Sequence, residues 1–373
     1  MIAGIFGAGR NGSTLLMRLL DGSPGLWIYP LELNYFSAFG LRSPRGRVKW
    51  MVGGLLRGTP LANRLCERYR TAFLRWAAYQ INEINATYVE QLLDPIVIRG
   101  DPLESIRGSI GWPAPSDIVT LLEAMRFTYD DRTDGNPPLL MFKSTEVALL
   151  PLYQELFPQM RFVHIVRHPH SNYESLKRTD MVLKRKPFWF QGGDILRMQL
   201  EERWIPHVRF VLKECRQDPE RHFVVKYEDL CGSPEGVVKD ICRWVGVPPP
   251  VGPALQTVLG GKRMKQLPIN PSQAGVETPE RVVANMTRTF AYEKVISDRE
   301  RDLILARTHF LARQLGYFSP EEISKLPSRL HLLLRWLPPD RWELMNSNST
   351  FRLTTALLAR RFYVCIKLLL PFR

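Results

Sequence analysis

The run Gly7-Ala8-Gly9-Arg10-Asn11-Gly12-Ser13-Thr14 has the makings of an anion cradle. Its glycines let successive backbone N–H groups turn inward, and a helix opening at Ser13 would aim its positive dipole end at the same point. The frame is that of a GxxxxG-x-[ST] phosphate loop, but Ser13 stands where triphosphate-binding loops carry lysine. The cation that reaches the outer phosphates of a nucleoside triphosphate is missing, and a basic residue, Arg10, lies inside the loop instead. Arg10, Asn11, Gly12, Ser13 and Thr14 are the candidate ligands, through backbone amides, one guanidinium and two hydroxyls. On the loop alone a dinucleotide-binding fold remains open, because glycine spacing is a weak signal.

A second anchor follows an apolar strand in Arg161-Phe162-Val163-His164-Ile165-Val166-Arg167-His168-Pro169. The strand delivers Arg167 to its C-terminal end, where open α/β sheets bind ligands. A helix starting near Pro169 would bring Ser175 back beside it, and an arginine with a hydroxyl suits a second phosphate. A loop without the lysine suits a 5′-phosphosulfate, which carries less charge than a triphosphate and needs no magnesium. Transfer from such a group needs a base. Glu32, at the end of a second strand after the loop, is the first candidate; His164 and His168, which flank Arg167, are the alternatives. Lys143, at another strand end, could add positive charge.

These residues require a parallel sheet to converge. Ile2 to Phe6 is a short apolar run, Ser13 to Leu20 has leucines at helical spacing, and Leu26 to Leu31 can form the next strand. The pattern resumes with strands at Leu139 to Lys143, Phe162 to Val166 and Phe223 to Tyr227, then a helix from Pro234 to Val245 stopped by Gly246. The expected fold is α/β: a three-layer sandwich with a central parallel sheet and a P-loop-like phosphate-binding loop, plus a helical insertion. We read residues 1–325 as one domain, 41–132 as the insertion and 326–373 as a basic, apolar helical C-terminal extension.

The two anchors together, a GxxRxGST-like loop and then a strand with RHPxxxxxS, resemble the PAPS-dependent sulfotransferases, where PAPS is 3′-phosphoadenosine 5′-phosphosulfate. Phe157-Pro158, Val225-Lys226-Tyr227-Glu228-Asp229-Leu230 and Pro234-Glu235 also look like segments of that family, in the same order. The resemblance covers about residues 1–40 and 139–250, and Asn11 departs from it where the family usually shows serine. It implies a loop for the 5′-phosphosulfate (Arg10 to Thr14), a 3′-phosphate site (Arg167 and Ser175), Glu32 as catalytic base and Arg10 as a catalytic cation. PAPS would be the donor co-substrate, and the acceptor a hydroxyl on a carbohydrate, lipid or small molecule. A P-loop kinase and a catalytically inactive nucleotide-binding scaffold are the alternatives.

Lys and Arg outnumber Asp and Glu by 51 to 37, a formal net charge of +14 over 373 residues, which favours anionic partners. No nucleic-acid-binding module is recognisable, so none is expected as a partner. The scattered cysteines Cys66, Cys215, Cys231, Cys242 and Cys365 suggest a reducing compartment and neither a disulfide framework nor a zinc site. A cytoplasmic protein is expected, with no transmembrane helix. The stretch from Phe351 to Phe372 mixes apolar residues with Arg352, Arg360, Arg361 and Lys367; it can lie on an anionic membrane or pack on the core. Trp50, Trp76, Tyr79, Trp112 and Phe188-Trp189-Phe190 are candidates for an acceptor pocket.

Overall fold

The computed structural model describes residues 1–38, 59–94, 96–107, 115–130, 139–183, 196–250, 257–263, 296–328 and 330–332, together with 362 and 366. Strands β1 (Ile2–Phe6), β2 (Leu26–Glu32), β3 (Leu139–Ser144), β4 (Arg161–Val166) and β5 (His222–Lys226) form a parallel sheet in the order β2-β3-β1-β4-β5. All residues of β1 and β3 are buried, as continuous apolar runs covered on both faces should be.

The strand pleat sends alternate side chains to opposite layers. Ala3 and Ile5 join Leu16, Leu19 and Leu20 of helix α1 (Ser13–Leu20) and Ile241 and Val245 of a helix spanning Pro234–Val245. Phe6, Phe142 and Phe162 face the other way. They meet Tyr153 and the helices inserted between β2 and β3: α2 (Pro60–Thr87), α3 (Pro102–Arg107) and α4 (Pro115–Tyr129). Each such buried side chain contributes about 1.5–3 kcal/mol. These are the layers of an α/β sandwich, with the insertion lying over one face of the sheet.

Helix α5 (Pro169–Leu183) follows β4, a π-helical turn α6 (Arg197–Trp204) runs into α7 (Ile205–Gln217), and β5 leads into α8 (Tyr227–Gly232). Tyr227 therefore begins a helix; the expected strand through Tyr227 ends at Lys226. Glu228 and Asp229 in the first turn explain the switch, since carboxylates favour a helix N-terminus.

Helix α9 (Asp298–Gln314) opens with a capping box between Ser297 and Glu300. Glu300 is also the buried partner of Lys177 on α5, at 2.7 Å, and accepts from Tyr173 Oη at 2.7 Å. Arg307 of the same helix pairs with Glu201 of α6 at 2.7 Å. Most of the C-terminal extension, including Phe351 to Phe372 apart from 362 and 366, lies outside the described residues. Its beginning touches the core, since Leu332 is buried among Leu303, Leu311 and Phe318. Among the described residues, no helix is long and apolar enough to cross a membrane.

Candidate active site

The loop between β1 and α1 rises from the middle of the sheet, with β3 and β4 on either side. Arg10 has φ 71 and Gly12 φ 91, so two loop residues are left-handed. That conformation costs a non-glycine residue energy and tends to be kept where function needs it. Gly12 has a second constraint. A Cβ there would lie 2.3 Å from the Tyr227 ring, so only glycine lets Tyr227 close over the loop.

The loop is pinned from outside. Asn11 is fully buried and donates from Nδ2 to the Ile165 carbonyl at 2.9 Å. Asn172 of α5 donates to the Gly9 carbonyl at 2.9 Å and to Asn11 Oδ1. Gln199 of α6 donates to the same Gly9 carbonyl at 2.7 Å and to Asn172 Oδ1. With its carbonyl held away, the loop keeps N–H groups for an anion. Asn11 thus spends its side chain on β4 and α5, and only its backbone amide is available as an anion ligand.

The two anchors meet. Arg10 Nε donates to Ser175 Oγ at 3.3 Å, and Arg167 Nη1 donates to the Arg10 carbonyl at 3.2 Å. The Arg167 guanidinium lies 4.2 Å from the centroid of the Tyr227 ring, which fixes its plane. Burial, then the nearby Arg167 charge, pull the Arg10 pKa below the usual arginine value. Two cations held this close favour an anion between or above them. The hydroxyls and guanidinia fit a phosphorylated donor in kind: one anion at the loop, another at Arg167 and Ser175.

On the other flank Lys143 reaches back from β3. Its Nζ donates to Thr14 Oγ1 at 3.0 Å and stands 3.6 Å from Glu32 Oε2. This pairing depends on an irregularity in edge strand β2: Ile28 pairs with Met141, but Glu32 pairs with Lys143. Pro30 lies inside that stretch, on an edge where its missing N–H is tolerated. Burial pushes the Glu32 carboxyl up, but the Lys143 charge, hydrogen bonds from Thr145 and Asn34, and the Arg203 charge outweigh it. The pKa ends below the ordinary carboxylate value. Burial pulls Lys143 down, opposed by Glu32 and assisted by Arg18.

The alternative bases lie elsewhere. His164 is fully buried, bonded to His222 at 3.0 Å and stacked on Phe162, and burial holds its pKa well below the usual range. His168 packs against His170, Tyr317 and Phe318; burial first, then His170 and Arg167, push it down to about 3. Period-2 alternation explains His164, which shares the inward face of β4 with Phe162.

Asn34, Thr145, Asn172, Gln199, Arg203 and Tyr227 complete the site without having been singled out as ligands in the sequence. Asn172 had a signal, because it stands one helical turn before Ser175 on the same face. Gln199 and Arg203 had none, being brought in by a π-helical turn of a kind often found at functional sites. Of the aromatic candidates, Trp76 packs on Tyr35 and Phe73 as core, and Tyr79 is exposed. Trp50, Trp112 and Phe188-Trp189-Phe190 lie outside the described residues.

A family model described as "Sulfotransferase family" matches residues 4–250 of the 373. Over 99 residues the chain is 33% identical to the omega-hydroxy-beta-dihydromenaquinone-9 sulfotransferase Stf3 of Mycobacterium bovis, and equally to that of Mycobacterium tuberculosis. The aligned part is 25% of this chain and only 24% of the relative. Among solved structures, the sulfotransferase domain of the Synechococcus PCC 7002 olefin synthase aligns over 86% of this chain and 95% of its own, at 21% identity and a TM-score of 0.48. The sulfotransferase domain from the curacin biosynthetic pathway aligns over 86% and 98%, at 20% identity and a TM-score of 0.46.

Proposed function

The chain belongs to the sulfotransferase family, and from that footing we propose that it transfers the sulfuryl group of PAPS to a hydroxyl acceptor. The observation that carries this reading is Lys143 Nζ, 3.0 Å from the loop hydroxyl of Thr14 and 3.6 Å from the Glu32 carboxylate. One ammonium joins an anion cradle to a carboxylate that burial has not neutralised. The loop amides, Arg10, Ser13 and Thr14 would hold the 5′-phosphosulfate, and Arg167 with Ser175 the 3′-phosphate. Bound there, the donor supplies an electrophilic sulfur and a bisphosphate leaving group. Glu32 takes the proton of the attacking hydroxyl, while Arg10 and Lys143 offset charge that builds on the leaving side.

The acceptor class is part of the proposal. The name of the mycobacterial relative specifies a hydroxylated menaquinone, so a hydroxylated isoprenoid quinone heads a panel with a carbohydrate, a primary alcohol and water. Radiolabelled PAPS and mass spectrometry of the products test the function. Adenosine 3′,5′-bisphosphate should raise the melting temperature without magnesium. Stabilisation by Mg-ATP alone would favour the kinase, and binding without transfer to any acceptor would favour an inactive scaffold.

Arg167→Ala should weaken PAPS binding by about 1.5–3 kcal/mol, the worth of a charge-assisted hydrogen bond, read by calorimetry. Unchanged affinity in the folded variant would remove Arg167 from the donor site.

A cytoplasmic location with peripheral membrane contact through the C-terminal extension belongs to the same reading, since Arg360, Arg361, Lys367 and Arg373 stand among apolar residues. Each basic residue near an anionic surface contributes about 1 kcal/mol. The protein should co-sediment with anionic liposomes and be released by salt. Equal sedimentation of a form ending at Lys325 would exclude the extension as the contact.

A further inference from the structure

The two oxygens of the Glu32 carboxylate are held differently. Oε1 accepts from Asn34 Nδ2 at 2.6 Å and from the Thr145 hydroxyl. Oε2 faces Lys143 Nζ at 3.6 Å, beyond good hydrogen-bond range. The donors are themselves tied together, since Asn34 Oδ1 accepts from Ser144 Oγ at 3.2 Å and from the Thr145 amide at 3.4 Å. Asn34 follows Glu32 out of β2, and Thr145 follows Lys143 out of β3. The register shift in β2 sets these neighbouring strand ends side by side.

We propose that Thr145 and Asn34 are positioning residues for sulfuryl transfer: by engaging Oε1 they fix the plane of the carboxylate and present Oε2 to the acceptor hydroxyl. The inference rests on the reading of Glu32 as the base. A carboxylate has about four lone-pair sites. Two donors on Oε1 leave Oε2 as the oxygen with lone pairs to spare. They hold Glu32 with Oε2 at ion-pair distance from Lys143 while Lys143 Nζ keeps its bond to Thr14. Among the described residues, the charged groups facing the carboxylate are Lys143 from β3 and Arg203 from α6, with Arg18 of α1 acting on Lys143. None of them touches Oε1 in the way Thr145 and Asn34 do.

In the transfer step the acceptor O–H bond breaks and its proton passes to Glu32 Oε2. The oxygen electron pair forms the new O–S bond. The bond from sulfur to the bridging oxygen of the 5′-phosphate breaks, and its electron pair leaves with adenosine 3′,5′-bisphosphate. Both requirements on the base, an ionised oxygen and a fixed direction, fall on Oε2.

The test is a double-mutant cycle between Thr145→Val, which keeps the shape but removes the hydroxyl, and Glu32→Gln. The probe is radiolabelled PAPS with whichever acceptor of the hydroxyl panel, water included, the parent turns over fastest. Thr145→Val should lower kcat by about 10- to 100-fold with PAPS affinity unchanged, the usual worth of orienting a general base. In the Glu32→Gln background it should cost less than about twofold, because an oriented carboxylate is no longer there to lose. Thr145→Ser, which restores the hydroxyl, should recover most of the parental rate. Equal losses from Thr145→Val in both backgrounds, or Thr145→Ser as poor as Thr145→Val, would overturn the positioning role. Glu32→Gln turning over like the parent would overturn the base reading instead, so the two failures are distinguishable.

Discussion

Glu32→Gln is expected to bind PAPS as the parent does and to turn over about 10²–10⁴-fold more slowly, the usual cost of losing a general base. Affinity should survive because the proposed donor anchors are Arg10, the loop amides, Arg167 and Ser175, while Glu32 sits across Lys143 from them. The substitution keeps the side-chain shape and can still accept from Asn34 and Thr145, so the fold around it should hold. It removes a carboxylate that Lys143, Thr145 and Asn34 favour as an anion against the pull of burial. Single-turnover kinetics with radiolabelled PAPS separate the chemical step from binding. Turnover within a few-fold of the parent would remove Glu32 as the base. His164 could not take its place, enclosed as it is by Phe162, Phe210 and His222.

A steep loss of stability in mild acid is the second large effect. His164 and His207 are fully buried, and neither ring nitrogen of His207 has a hydrogen-bond partner. Burial drives His207 down to about 3, and burial with the His207 and His222 charges drives His164 well below 6.5. Both must be neutral in the folded protein, whereas the unfolded chain takes up their protons near pH 6.5. Stability is therefore complete above that value and is lost as pH falls from 6.5 towards 3, by up to about 1.4 kcal/mol per pH unit for each ring. His207 alone should cost about 2 kcal/mol between pH 7 and pH 5, and His164 adds to the loss in the same direction. His168 and His170, lowered to about 3 and about 4 with burial as the main cause, act in the same direction. Urea titrations at pH 7, 6 and 5 measure the loss. His207→Phe should flatten the profile by one ring's share. A midpoint unchanged between pH 7 and 5 would show that the rings are not buried neutral.

What the sequence made legible was local. The apolar runs of β1, β3 and β4 could be read because strands buried on both faces carry no polar alternation. The loop from Gly7 to Thr14 could be read because its backbone needs glycine, and the place of Arg167 because the apolar strand ends just before it. The contacts that pin these parts together were not legible. Gln199 reaches Gly9 across 190 positions of sequence, through a π-helical turn that no hydrophobic period announces. The pairing of Glu32 with Lys143 depends on the irregular stretch around Pro30, since a regular ladder would place a different residue opposite the lysine. Tyr227 illustrates the opposite error. A β-branched and aromatic run suggested more strand, but the two acidic residues after it begin a helix.

The Glu300 junction bears on how such a chain can change over generations. Tyr173 and Lys177 lie inside the stretch matched by the family model, and Ser297 and Glu300 outside it. A mutation of Glu300 alone would remove the 2.7 Å ion-pair partner of a buried ammonium on the helix that carries Ser175 and Asn172, and losing one member of a buried pair is destabilising. Divergence at either end of the junction is therefore coupled to the other, and the segment beyond 250 inherits a constraint from the anion loop although it lies outside the family match. Homologues that replace Lys177 should replace Glu300 with it, a co-substitution that links two parts of the chain with very different degrees of family resemblance.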